Sequence, residues 1–207
     1  MRIARTILTL LLLASVVFII KQEKWAASQA SASRPAASSG HRYAASMQAK
    51  LDHIQENAKR SKPDQTPTVM SEEEVNDYFA SGAIVLPQGV KKLTMEGRNG
   101  VVTAFLNVDF DEIRAGQKSS NPMLSVFNGR HDVRVEANAT GSGGQGRVQV
   151  REVSIDGFSV PRMALEYFVS KYITPKYPNI GLDSTFQLPD RIDLATVGYH
   201  KLTVTQK

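Results

Sequence analysis

The chain of 207 residues contains no cysteine, one tryptophan and four histidines. The missing cysteine excludes disulfide scaffolds, cysteine-ligated zinc or iron–sulfur centres, cysteine nucleophiles and a lipidated N-terminal cysteine. Excess charge is also scarce where it would matter. The net charge is +5 and the pI about 9.5. Of the 25 basic and 20 acidic side chains, four and one fall in the first 33 residues, so residues 34–207 hold 21 and 19, a net of +2. That is too little for an electrostatic nucleic-acid footprint, and no nucleic-acid partner is expected. His41, His53, His131 and His200 are scattered, without a second histidine or a carboxylate at ligand spacing. No G-x-S-x-G, H-E-x-x-H or P-loop occurs. Neither catalytic residues, nor a metal, nor a cofactor is expected.

What is present begins with an address. Arg2 and Arg5 precede an apolar run from Ile7 to Ile20, interrupted only by Thr9 and Ser15. As a helix this run is about 21 Å long, short of the roughly 30 Å of a bilayer core. A basic start and a short apolar region read as a secretory signal, with Ala30-Ser31-Ala32 as a cleavage site. Lys21, Glu23, Lys24 and Trp25 suit an uncleaved anchor with an interfacial tryptophan equally well. Both readings place the rest outside the cytoplasm, periplasmic or otherwise extracytoplasmic.

Residues 1–33 are therefore assigned to a signal peptide or membrane anchor, and 34–65 to a flexible tether with one amphipathic helix. Residues 26–40 are almost wholly small or polar, too poor in bulky side chains to fold. From Arg42 to Arg60, Tyr43, Met47, Leu51, Ile54 and Ala58 recur at helical spacing. This predicts a helix packed on its own domain or a stalk, with a membrane-surface or partner-binding helix as the alternative. Pro63 and Pro67 mark a linker.

The domain proper is expected over 66–207. Ser71-Glu72-Glu73-Glu74 reads as a capping box opening a helix that stops at Gly82. Val102, Ala104, Leu106, Val108 and Phe110 then alternate with polar residues, as do Val133, Val135, Ala137 and Ala139. This is antiparallel sheet with one covered face. Parity flips near Arg151–Glu152, which predicts a β-bulge and a bent sheet. Pro161 opens a second helix to about Thr174. The fold expected is α+β, a strongly curved antiparallel sheet wrapped on helices.

Two motifs have ordinary explanations. Gly141-Ser142-Gly143-Gly144-Gln145-Gly146 matches G-x-G-x-x-G, but a strand follows it, so it is read as a hairpin loop. Asp109 and Asp111 lie on one strand face and could hold a divalent cation, yet such a pair more often caps a strand end.

The C-terminal third carries a resemblance. Val153-Ser154-Ile155-Asp156-Gly157-Phe158-Ser159-Val160-Pro161 leads into the second helix; Gln187-Leu188-Pro189-Asp190-Arg191-Ile192 and Gly198-Tyr199-His200-Lys201-Leu202 lead into the last strands. With Met70-Ser71-Glu72-Glu73-Glu74-Val75-Asn76, this pattern resembles the LmeA-like and YceB-like envelope proteins over about residues 68–206. The lipobox cysteine of the YceB-like lipoproteins is missing. The resemblance implies antiparallel strands curled around a long helix, with a second capping helix, as in a half tubular-lipid-binding fold. It also implies binding of a phospholipid or other envelope lipid between helix and sheet.

A bent apolar sheet covered by only two helices is consistent with an acyl-chain groove, since each buried methylene contributes about 0.8 kcal/mol. Leu106, Val108 and Phe110 on the sheet and Leu165, Phe168 and Tyr172 on the helix are the expected lipid contacts. Arg162 and Lys171 are the expected headgroup contacts. The bland alternative is that Phe105, Phe110, Phe158, Phe168 and Tyr172 simply fill a core. The partners expected are membrane lipid and, through the N-terminus, the envelope membrane. The rival function is a non-catalytic envelope interaction module with a solid core and a protein partner.

Overall fold

The computed structural model describes residues 41–114, 122, 126–175, 177–178 and 180–207. The segment assigned to a signal or anchor, and residues 34–40 of the tether, lie outside these.

Helix α1 spans Arg42–Ala58 and buries Ala44, Met47, Leu51, Ile54 and Asn57. The stripe is the expected one, turned slightly so that Tyr43 lies exposed at its margin. Strand β1 (Thr68–Ser71) runs directly into helix α2 (Glu72–Ala80). Ser71 Oγ accepts the Glu74 N–H while the Glu74 carboxylate accepts the Ser71 N–H, the reciprocal capping box that the sequence predicts.

The same Glu74 holds α1 in place. Its carboxylate also accepts from Lys50 Nζ at 2.6 Å and Ser46 Oγ at 2.5 Å. Asp77, one turn on, accepts the Tyr43 and Ala44 N–H groups, each at 2.9 Å. An α2 side chain thus caps the orphan donors of α1.

Strands β2 (Val90–Arg98), β3 (Val101–Asp109), β4 (Arg130–Ser142) and β5 (Gln145–Ile155) follow, with the short helix α3 (Phe110–Ile113) after β3. Strand β6 (Phe158–Ser159) precedes helix α4 (Arg162–Phe168), which continues as a π-helical turn over Val169–Ile173. Strands β7 (Asp183–Gln187), β8 (Ile192–Gly198) and β9 (Lys201–Gln206) complete the chain.

The nine strands of the described residues join one antiparallel sheet in the order β1-β9-β8-β4-β3-β2, with β5 along the other side of β4 and β6 and β7 on β5. β8 reaches β4 only at Thr140 and Gly141, beyond the end of β3. A Cβ on Gly141 would stand 2.8 Å from that of Ala195, so the crossing needs glycine there. The expected bulge is present: Glu136 pairs with Glu152 and Ala137 with Val150, leaving Arg151 as the extra residue. The glycine-rich motif is a hairpin, with Gly143 and Gly144 at positive φ between β4 and β5.

The expectation of a sheet wrapped around a long helix is corrected. The nine-stranded sheet dominates, and among the described residues no long helix is wrapped by it. The helix after Pro161 is α-helical for only seven residues. Its π turn, where the Thr174 N–H reaches back to Val169 O, runs into Pro175, whose ring cannot continue a helix. α1 is longer but packs chiefly against α2 and touches β1. Several short elements therefore cover the apolar face piecewise. Phe110 is also corrected: it opens α3 and does not end β3, because Asp109 caps that helix by accepting the Asp111 and Glu112 N–H groups.

Candidate functional site: a groove on the outer sheet face

The six side chains expected to contact lipid all belong to the apolar cluster of the interior. Leu106, Val108, Phe110, Leu165, Phe168 and Tyr172 are all buried, and the aromatic ones are in mutual contact. Phe110 meets Phe168 edge-on with ring centroids 5.7 Å apart, and Phe168 meets Tyr172 at 5.2 Å. Phe127, which sequence reasoning did not single out, stacks on Phe168 at 4.3 Å and meets Phe110 edge-on at 5.4 Å. These are the geometries that aromatic rings prefer in a packed core.

The two expected headgroup contacts are engaged elsewhere. Arg162 donates from Nη2 to Asp183 at 2.7 Å and from Nε to Glu166 at 3.0 Å. Those carboxylates, Asp183 first, hold the guanidinium pKa above its ordinary value. The cation thereby pins α4 to β7. Lys171 Nζ lies over the Tyr167 and Tyr172 rings, 5.7 and 5.4 Å from their centroids.

The aspartate pair is likewise accounted for. Asp109 caps α3, and Asp111 pairs with Arg114. Among the described residues no group of three or more His, Cys, Asp or Glu side chains could hold a metal ion. Three histidines do find carboxylates, through contacts too distant in sequence for spacing to reveal. His41 meets Asp77, His131 meets Asp156, and His200 meets Glu72.

The opposite face of the sheet presents a groove of about 570 Å³, within the roughly 300–1,000 Å³ of ligand sites. It lies across β2, β3, β4 and the end of β5. Alternation aims Thr94, Phe105, Arg134 and Ser154 outward along one cross-strand row. Lys92, Asn107 and Asp132 form the next row, toward the Asp156-Gly157 turn. Phe105 is 38% exposed, on a strand whose core-facing Val102, Leu106 and Val108 are buried.

The groove is partly pre-organised. Asn107 Nδ2 donates to Asp132 Oδ1 at 2.8 Å, and Asp156 Oδ1 accepts the Asp132 N–H at 3.0 Å. Asp156 is fixed on its other side by His131, whose Nδ1 lies 2.5 Å from Oδ2 and whose Nε2 lies 2.6 Å from Asn128 O. Facing two acceptors, the ring is best satisfied as the doubly protonated cation. The Asp156 hydrogen bond accordingly raises the His131 pKa, and the same bond lowers that of Asp156. Arg134 pairs with Glu136 at 2.9 Å. Lys92 has no ion-pair partner among the described residues.

Sequence reasoning missed this groove because its residues sit on the wet face of ordinary alternation. The available signal was Phe105, whose parity groups it with Thr103 and Asn107, away from the core. Comparisons with protein-family models, with curated proteins and with solved structures give no match, and the likeness to the LmeA-like and YceB-like envelope proteins rests on its short motifs alone.

Proposed function

We propose that the chain is an exported, non-catalytic binding module of the cell envelope, held near a membrane by its N-terminal segment, which takes its ligand in the groove on the outer sheet face. One observation carries this reading: Phe105 stands exposed in the lining of a groove of about 570 Å³, whereas Phe110, Phe127, Phe168 and Tyr172 are buried and pack ring against ring in the interior. An acyl chain between helix and sheet would have to part side chains that stabilise one another.

Contact with membrane lipid is the second reading, now from outside the domain. Phe158 is 79% and Met163 68% exposed. Tyr167, one turn beyond Met163, carries Lys171 over its ring. Apolar side chains beside a lysine suit a lipid–water boundary.

A photoreactive phenylalanine analogue placed at position 105, and separately at 158, in the full-length chain tests both in an exporting host. Capture of a water-soluble molecule at 105 is expected. Lipid captured at 158 with nothing at 105 would reject the groove in favour of the second reading.

A further inference from the structure

We propose that the groove ligand is a neutral saccharide stacked on Phe105, an inference that rests on the groove reading above. The lining charges balance: Lys92 and Arg134 oppose Asp132 and Asp156. A balanced site gives a phosphate, a nucleic acid or an acidic polymer no net attraction. It suits an uncharged ligand that both gives and receives hydrogen bonds.

The backbone argues against an extended peptide. β3 and β4 are interior strands, paired on both sides where the groove crosses them. Peptides that add to a sheet do so at an edge, where main-chain groups are free. The nearby β2 edge is partly covered, since Asn76 bonds both the N–H and the C=O of Met95 and Glu72 accepts the Gly97 N–H. Recognition in this groove therefore falls to side chains.

Those side chains form a platform with a polar rim. Phe105 lies between Thr94 and Arg134 as direct cross-strand neighbours, with Lys92, Asn107 and Asp132 one step along their strands. Neighbours at these positions stand about 5–7 Å away. A sugar ring has an apolar C–H face that can lie on the phenylalanine. Its edge hydroxyls both donate and accept, matching the carboxylate of Asp132, the amide of Asn107, the hydroxyl of Thr94 and the ammonium of Lys92. A lipid tail would leave these polar groups unanswered, and a charged headgroup would meet no net complement.

The test is calorimetric titration of the full-length chain in nanodiscs with four probes: maltotriose, tri-N-acetylglucosamine, an anionic oligouronate and a mixed hexapeptide. At least one neutral trisaccharide should bind. Phe105→Ala should weaken that binding tenfold or more and Lys92→Ala severalfold, both with an unchanged melting temperature, and Val85→Ser, at an exposed position outside the groove lining, should have no effect. Phe105-dependent binding of the oligouronate or the peptide alone would overturn the saccharide and leave the groove standing. Binding indifferent to Phe105→Ala and Lys92→Ala would overturn both. No binding by either neutral trisaccharide at millimolar concentration would overturn the saccharide, and capture at position 105 would then decide the groove independently.

Discussion

Asn57 and Gln206, at the end of α1 and the end of β9, share a buried hydrogen bond: Asn57 Nδ2 donates to Gln206 Oε1 at 2.8 Å. Around them the polar groups are nearly all answered. Gln206 Nε2 donates to Ile54 O and Asp190 O, and Asn57 both donates to Asp64 O and accepts the Asp64 N–H. The residues that open the described chain are thus joined to those that close it. Gln206→Ala removes a partner from the buried Asn57 amide and Ile54 carbonyl and from the partly buried Asp190 carbonyl, each costing about 1 kcal/mol or more when left unpaired. The expected loss is about 2–3 kcal/mol, a fall in melting temperature of roughly 4–12 °C. Lys207→Ala, which breaks only the exposed pair with Asp193, should cost less than about 1 kcal/mol. Equal effects of the two in thermal melts would refute the role assigned to this junction.

Phe168 touches Phe110, Phe127 and Tyr172 and is the hub of the interior cluster. Phe168→Ala should destabilise the domain by about 3–5 kcal/mol, read as a shifted urea midpoint with an unchanged slope. Whatever binds at Phe105 should still bind the folded fraction. A variant of unchanged stability that lost bound lipid would instead mark the interior as the site.

His131 and Asp156 give the groove a pH signature. Raising the His131 pKa stabilises the fold fully below the unfolded value of about 6.5, and that contribution disappears as pH rises through the folded value. The lowered Asp156 pKa acts above about 3.9 and is lost as pH falls through its own folded value. The pair contributes most between these limits. His131→Gln should therefore lower the melting temperature more at pH 5.5 than at pH 9. A difference independent of pH would mean that the contact is not ionic.

Much of this architecture is written in short-range pattern, and the unwritten part has physical causes. The alternation in 101–109 and 133–139, the bulge at Arg151 and the capping box at Ser71 are all local, and each is found where the residues place it. β2 escaped notice because its register shifts between Val90 and Lys92, which breaks the alternation beside two lysines. Phe110 follows the apolar parity of β3, but a cap formed by its own neighbour bends the chain before it. The groove is harder to foresee, since polar residues on alternate positions look the same on a flat wet face and in a concave one. Only strand pairing brings Lys92, Asn107 and Asp132 into one row.

Asp190 titrates in the opposite sense to Asp156. Its Oδ2 is buried with no hydrogen-bond partner among the described residues, and burial pushes its pKa up to about 6. A carboxyl raised in the folded state binds its proton more tightly there than in the unfolded chain. Its ionisation therefore costs stability as pH climbs from about 4 toward neutrality. Asparagine removes the charge and tolerates the left-handed backbone at this position, where φ is +55°. Asp190→Asn should raise the melting temperature by roughly 2–4 °C at pH 7, about 1 kcal/mol once solvent screening is allowed for. Near pH 3.5, where the carboxyl is neutral in both states, it should change little. Melts of the two proteins at these pH values decide the matter: a gain that persists undiminished at pH 3.5 would trace to packing or backbone preference and not to the buried charge.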